Sequence, residues 1–438
     1  MVVVSGRERL ALWLYALLLR LATPAYLLRI WWRGRSEPVY RSAWWTRLGW
    51  GLPRPVDRPL IWCHAVSLGE AKAARPLVEA LRRQCPGHAV LLTHTTATGR
   101  HTGAELLAAG DLQTWLPYDT PGAVRRFLRA YRPAVGILME TEVWPVLLDQ
   151  ARRAGVPMVL ANARLSERSA RRGRRFVTLL GPAARALNLV LAQSDEDAAR
   201  LREAGAGQVE VSGNLKFDLA PSGPLMAQGR GWRVACGRPV VVLANSRPGE
   251  ERTLLGIWPE MVAARSDRPL LLIVPRHPQR FDEVADLIRL HGLQLWRRSS
   301  SLAPEAAAWS ADVWLGDSLG ELSLYYGMAD VALLGGSFEP LGGHNLIESL
   351  ACGCPMVLGP SVFNFAAAAE AALAAGAVVQ RGDMASAVSA ALDLLDHPQA
   401  REDRALRAEA FALAHRGAAA RMAGRISALL SAQGDLQV

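Results

Sequence analysis

A doubly wound α/β fold in two units is the class this sequence predicts, on three observations. The chain has 438 residues, more than one ordinary hydrophobic core organises. From residue 59 onward, short runs of Leu, Ile, Val and Ala alternate with longer stretches of helical periodicity, the pattern of parallel strands joined by crossover helices. The alternation stops at a Pro- and Gly-rich stretch and then starts again, so two such units are expected. A hydrophobic content of 50% with 21% charged residues excludes a disordered chain.

The amino-terminal segment, residues 1–58, is expected to meet a membrane. Leu10 to Leu19 is an unbroken apolar run, ended by Arg20 and followed by Pro24, Arg29 and the Ile30–Trp32 triplet. A spanning helix wants about 20 apolar residues, and an arginine near its centre costs about 2.5 to 3.5 kcal/mol on an insertion scale. A spanning helix therefore fits, and so does a helix lying in the interface with Trp31, Trp32, Trp44 and Trp45 at headgroup level. Arg7 and Arg9 imitate a secretory leader, but no small-x-small cleavage pattern follows.

The first α/β unit, residues 59–220, has strand candidates at Leu60–Ala65, Ala89–Thr93, Ala134–Met139, Pro157–Asn162 and Leu189–Gln193. Leu219–Arg230 is the linker. The second unit, residues 231–438, has strand candidates at Pro239–Asn245, Pro269–Pro275, Asp312–Asp317, Asp330–Gly336 and Pro355–Gly359, and its Ala-rich tail from Ala366 is expected to be helical. Sheets of this kind bind ligands outside the carboxyl ends of their strands, so the units are expected to face one another across a cleft.

Net charge is +10 and unevenly placed. Residues 1–60 hold ten arginines against Glu8, Glu37 and Asp57, and Arg164–Arg175 holds six more against Glu167. Such clusters suit anionic lipid or phosphate. Nucleic acid is not an expected partner, because the clusters lack interleaved stacking aromatics and the apolar segment would be idle. Five cysteines in no paired framework point to a reducing compartment. Neither Cys352 and Cys354 nor His64, His94 and His101 have metal-ligand spacing, so no metal is expected.

Of the 50 lysines and arginines only Lys72 and Lys216 are lysine. A chain that otherwise writes positive charge as arginine keeps Lys216 where a compact, mobile ammonium is useful, just after the apolar Val209–Val211 stretch. Glu70, in SLGEAK, follows the first strand; Glu140 and Glu142, in METEVWP, follow another. Carboxylates at strand ends suit a general base that takes a hydroxyl proton. In the second unit GGSFEPLGGHNLIE, Gly335–Glu348, links a strand to a helix opening at Asn345, where backbone N–H groups can face a phosphate and Glu348 can accept from ribose hydroxyls. PRHP adds Arg276 and His277, and GDSLGEL adds a further turn. Neither a P-loop nor a dinucleotide fingerprint is present, which argues against ATPase and dehydrogenase activity.

At these residues the chain resembles the 3-deoxy-D-manno-octulosonic acid (Kdo) transferases, GT-B glycosyltransferases of lipopolysaccharide assembly. HAVSLGE, TTATG, ETEVWP, NARLSERS, GNLKFD, PRHP, GDSLGEL and GGHNLIE occur in the family's order across nearly the whole chain. The resemblance implies a bacterial inner-membrane anchor and a cytoplasmic active site. It implies CMP-Kdo as donor substrate, the lipid A disaccharide bisphosphate precursor as acceptor, and no cofactor. It makes Glu70 the proton acceptor, Glu140 and Lys216 the groups that stabilise the transition state, and Arg276, His277, Leu319, Gly320, Glu321, Asn345, Leu346, Ile347 and Glu348 the CMP-binding set. Arg164, Arg168 and Arg171 are candidates for the acceptor's phosphates. The loop Asn245–Glu251 departs from the family, which usually has Ser-Thr-His before Gly-Glu-Glu. A GT-B enzyme using a UDP-sugar and a non-catalytic nucleotide-sugar-binding membrane protein are the alternatives.

Overall fold

The structure, a computed structural model, describes residues 5–54 and 56–434; residues 1–4, 55 and 435–438 of the expected segments lie outside the described residues. It divides into two compact units, residues 1–219 with 416–438 and residues 220–415.

The first unit is built on seven strands, β1 (Leu60–His64), β2 (Ala89–His94), β3 (Leu112–Trp115), β4 (Val135–Met139), β5 (Met158–Ala163), β6 (Leu189–Ala192) and β7 (Val209–Val211). All pair in parallel in the order β3-β2-β1-β4-β5-β6-β7. Every residue of β1, β2, β4, β5 and β6 is buried because helices cover both faces, which is why these strands read as continuous apolar runs. One face packs Trp62, Phe127 and Leu147 together, the other Ile61, Val90 and Ile137. Each such side chain contributes about 1.5 to 3 kcal/mol on burial. β3 was not expected: its LQTW is short and mixed, and it lies on the sheet edge with Leu112 and Gln113 half-exposed.

The second unit has β8 (Val240–Ser246), β9 (Leu270–Pro275), β10 (Leu295–Arg297), β11 (Val313–Leu315), β12 (Val331–Leu334), β13 (Met356–Leu358) and β14 (Val378–Gln380), in the parallel order β10-β11-β9-β8-β12-β13-β14. β10 and β14 are three-residue edge strands that no apolar run announces. The order of each sheet reverses direction near its middle, between β1 and β4 in the first and between β8 and β12 in the second. Ligands of open α/β sheets bind at such reversals.

Three expected boundaries are corrected. The Leu219–Arg230 stretch turns helical at Gly223, because Ser222 caps a helix running to Cys236 and Pro224 fits its first turn. The second unit ends at His415 and not at residue 438. Its expected last helix, Ala418–Gly434, inserts Ala418, Met422 and Ile426 into the Ile61 core of the first unit, and the Asp218 carboxylate accepts the N–H groups of Gly417 (2.5 Å) and Ala419 (2.6 Å) at its start.

The third correction concerns residues 1–58, which belong to the first unit and are not a separate domain. Ser5 and Glu8 cap each other at the start of a 28-residue helix, Gly6–Arg33. One side of that helix is docked: Ala16 enters the Trp62 core, Leu12 and Tyr15 pack against it, and Glu8 pairs with Arg185 at 2.5 Å. The other side exposes Leu10, Trp13, Leu14, Leu17, Leu18 and Leu21. The helix is long and apolar enough to cross a membrane by length and composition.

Candidate active site

Glu70 stands in the first turn of the helix Leu68–Gln84, directly after β1. Its carboxylate accepts from the Val66 N–H at 2.8 Å and from the Ser67 hydroxyl at 3.1 Å, so it is held still. Partial burial raises its pKa above the ordinary 4.5; these hydrogen bonds oppose the rise and the nearby Glu140 adds to it. The TTATG turn after β2 presses against the same loop. Thr96 donates to the Val66 carbonyl at 2.8 Å, and a Cβ at Gly99 would lie 2.6 Å from that carbonyl, so only glycine fits.

Glu140 comes from the other side of the reversal, at the end of β4. It takes a left-handed backbone, φ 56°, and is 7% exposed. Two cations meet its carboxylate: Arg164 at 3.1 Å and Lys216 at 3.8 Å. Lys216 is largely buried, and desolvation lowers its pKa, with Glu140 opposing. Glu142 is pushed up to about 7, by burial first and then by Glu70. One small volume thus holds a carboxyl whose pKa is raised, a carboxylate paired with two cations, and an ammonium.

Sequence reasoning missed the residues that hold Lys216 in place. Asn162, fully buried with φ 53°, accepts the Leu215 N–H at 3.0 Å, and Asn214 accepts the Lys216 N–H at 3.0 Å. Asn214 in turn donates to Gln193 at 3.0 Å. Asparagine tolerates the left-handed region, and that was the only available signal. The three arginines proposed together do not stay together: Arg164 joins Glu140, whereas Arg168 and Arg171 lie exposed on the helix Glu167–Arg174.

In the second unit the loops after β8, β9 and β12 bring cationic groups together. Arg247 donates to the His277 ring Nε2 at 2.5 Å. Desolvation, then Arg247 and Arg276, lowers the pKa of His277, and the same causes bring His344 to about 4. Two guanidiniums beside two neutral imidazoles make a site for an anion. Gly336 has φ 73°, and a Cβ there would meet His344 at 2.9 Å. Glu250, 1% exposed, accepts the N–H groups of Arg247, Gly336 and Phe338 at 2.8, 2.8 and 3.0 Å, so a single carboxylate ties two of these loops. Glu250 and Arg247 belong to the divergent loop and His344 was not singled out, so none of the three was predicted.

The remaining predicted donor residues divide by accessibility. Leu319 is 75% exposed and Gly320 has φ 81°, at a turn where Glu321 pairs with Arg298 at 2.9 Å and accepts from Ser318 at 2.6 Å. Asn345 caps the helix Leu346–Ala351 by accepting the Ile347 N–H at 3.3 Å, and Glu348 is in its first turn. Leu346 and Ile347 are fully buried, so their side chains serve the core and only their backbone is available. Among the described residues no three His, Cys, Asp or Glu side chains converge as a metal-binding group.

Two doubly wound parallel sheets with carboxylates and cations at their reversals are the fold of the GT-B glycosyltransferases. Solved structures share it across most of the chain: UDP-GlcNAc 2-epimerase from Neisseria meningitidis has a TM-score of 0.58 at 14% identity, covering 84% of this chain and 99% of that one. A glycosyltransferase from Rickettsia africae has a TM-score of 0.56 at 12% identity, covering 86% and 99%. Residues 42–219 match the family model described as 3-deoxy-D-manno-octulosonic-acid transferase (kdotransferase). The 3-deoxy-D-manno-octulosonic acid transferase of Bordetella pertussis is 46% identical over 93% of this chain and 96% of its own length. That of Haemophilus influenzae is 34% identical over 89% and 91%. The chain belongs to the 3-deoxy-D-manno-octulosonic acid transferase family.

Proposed function

We propose that this protein is an inverting glycosyltransferase that moves Kdo from CMP-Kdo to the lipid A disaccharide bisphosphate precursor in lipopolysaccharide assembly. The acceptor hydroxyl oxygen attacks the anomeric carbon of Kdo, Glu70 accepts the hydroxyl proton, and the bond from that carbon to the CMP phosphate breaks with its electron pair leaving on CMP. A single displacement forms no covalent enzyme intermediate. Lys216, set by Glu140, meets charge that develops during the transfer, while Arg247, Arg276, His277 and His344 offer an anion site for the leaving CMP.

The observation that carries this reading is the arrangement of Glu70. A carboxylate fixed by two donors, with its pKa raised by burial and with an ammonium–carboxylate pair nearby, is suited to take a proton and to remain placed while doing so. Work at the cytoplasmic face of the bacterial inner membrane is supported by the exposed apolar side of the helix Gly6–Arg33 and by exposed arginines on the helix Glu167–Arg174. The test is one incubation of the purified protein with CMP-Kdo and lipid A precursor, read by mass spectrometry, beside the same incubation with UDP-sugars. Kdo-bearing product and release of CMP are expected. Transfer from a UDP-sugar alone would replace the proposed donor.

A further inference from the structure

The helix Pro145–Arg153 starts five residues after Glu140, yet it has no cap of its own. Its N-cap is Trp144, which makes no side-chain cap bond, and Pro145 at its first position carries no N–H. The next two donors go instead to a distant residue: Asp119 accepts from Val146 at 3.2 Å and from Leu147 at 2.6 Å. Asp119 is 4% exposed, and a carboxylate so buried must be fully bonded. The Tyr15 phenol of the amino-terminal helix lies beside it: burial first, and then the Asp119 charge, pushes the Tyr15 pKa up. Tyr15 and Leu12 of that helix pack on the same core as Val143 and Trp144 of the carboxylate turn, and Trp144 donates to Glu142 at 2.8 Å.

A continuous path therefore runs from the amino-terminal helix, through Tyr15 and Asp119, to the start of the Pro145 helix and the turn that presents Glu140 and Glu142. We propose that Tyr15 and Asp119 are positioning residues for the Glu140–Trp144 turn, so that the apolar amino-terminal helix holds the active-site geometry by its docked side while its exposed side is left for a membrane. This rests on the reading of Glu70 and Glu140 as the reacting site. The sequence hides it because Tyr15 sits inside an apolar run and Asp119 in a loop, 104 positions apart in a chain whose topology alone brings them together.

The experiment uses the full chain in detergent micelles with CMP-Kdo and acceptor, comparing Tyr15→Phe, Asp119→Asn and Glu70→Gln. Tyr15→Phe deletes one oxygen and Asp119→Asn keeps the shape. Both should lower kcat, Asp119→Asn by roughly tenfold or more, which a small misplacement of reacting groups can cost, with the KM for CMP-Kdo within about twofold of wild type. Loss of folded protein alone would lower the active-site concentration without moving a pH profile. A displaced turn moves it: Glu70 faces Glu140, Glu142, Arg164 and Lys216, and withdrawing the two carboxylates shifts the acid limb of kcat to lower pH. Sedimentation with anionic vesicles should be unchanged. Wild-type kcat and an unshifted acid limb in both variants, with Glu70→Gln inactive, would overturn the proposal. A Glu70→Gln enzyme with normal turnover would instead remove the site, and the proposal with it. Should Asp119→Asn fail to fold, Tyr15→Phe decides on the same criteria.

Discussion

At the scale of single residues, the site works by placing like and unlike charges at chosen distances. Glu70→Gln keeps the hydrogen-bonding shape but cannot accept the proton, so it should bind CMP normally and lose on the order of 10² in turnover, as measured by single-turnover assay. Lys216→Arg substitutes a planar fork for a point charge beside Glu140, so single-turnover rates should fall several-fold, and further in Lys216→Ala, while CMP-Kdo affinity stays near wild type. His277 and His344 of the second unit give a pH-dependent readout. Both are depressed by burial and by neighbouring arginines, so a bound phosphate should raise their pKa values and draw in protons. CMP affinity should then strengthen as pH falls from 7.5 to 6, and titration calorimetry in buffers of different ionisation enthalpy should register proton uptake. Lys216 and Glu70 were legible as single letters, one by its rarity and one by its place after a strand. Asn162, Glu250 and Asp119 were not, because their work is to accept backbone N–H groups from loops distant in sequence.

At the scale of elements, the strands that could be read were those buried on both faces. β1, β4 and β8 show as apolar runs; β3, β10 and β14 are short edges whose residues are set by neighbours and not by an inward face. The amino-terminal helix shows the same limit. Its hydrophobicity is evident in sequence, but not that Ala16 and Tyr15 face the protein while Trp13 and Leu18 face outward. Replacing Trp13 and Leu18 together by serine should weaken flotation with anionic vesicles and leave turnover on detergent-dispersed acceptor largely intact. The carboxylate turn has its own signature in stability. Glu142 is raised to about 7 in the folded protein from an ordinary 4.5, so the folded state binds the proton more tightly; its contribution is fully present below the unfolded value and is lost as pH rises through about 7. Glu142→Gln should flatten the fall of the unfolding midpoint between those limits, as followed by calorimetry.

At the scale of the whole molecule, the chain leaves its first unit at Leu219 and returns to it at Arg416. The return has a physical reason in the Asp218 carboxylate and in the Ile61 core, which lacks part of its cover without Met422 and Ile426. A fragment of residues 220–415 should therefore fold and bind CMP, whereas residues 1–219 alone should show no cooperative unfolding; circular dichroism and calorimetry of the two fragments check this. Removing residues 1–33 withdraws Ala16 and Glu8 from their partners as well as the exposed apolar face. That deletion should lower the unfolding midpoint by roughly 5 °C or more.

What the sequence determined by itself was the class: two parallel α/β units and the motifs that mark a Kdo transferase, because strand burial and strand-end chemistry are written in contiguous letters. Tertiary structure alone decided which unit owns each terminus, which side of the first helix is docked, and which buried carboxylates and amides hold the reacting groups. Those depend on contacts between segments far apart in the chain, where no local periodicity or spacing carries the signal.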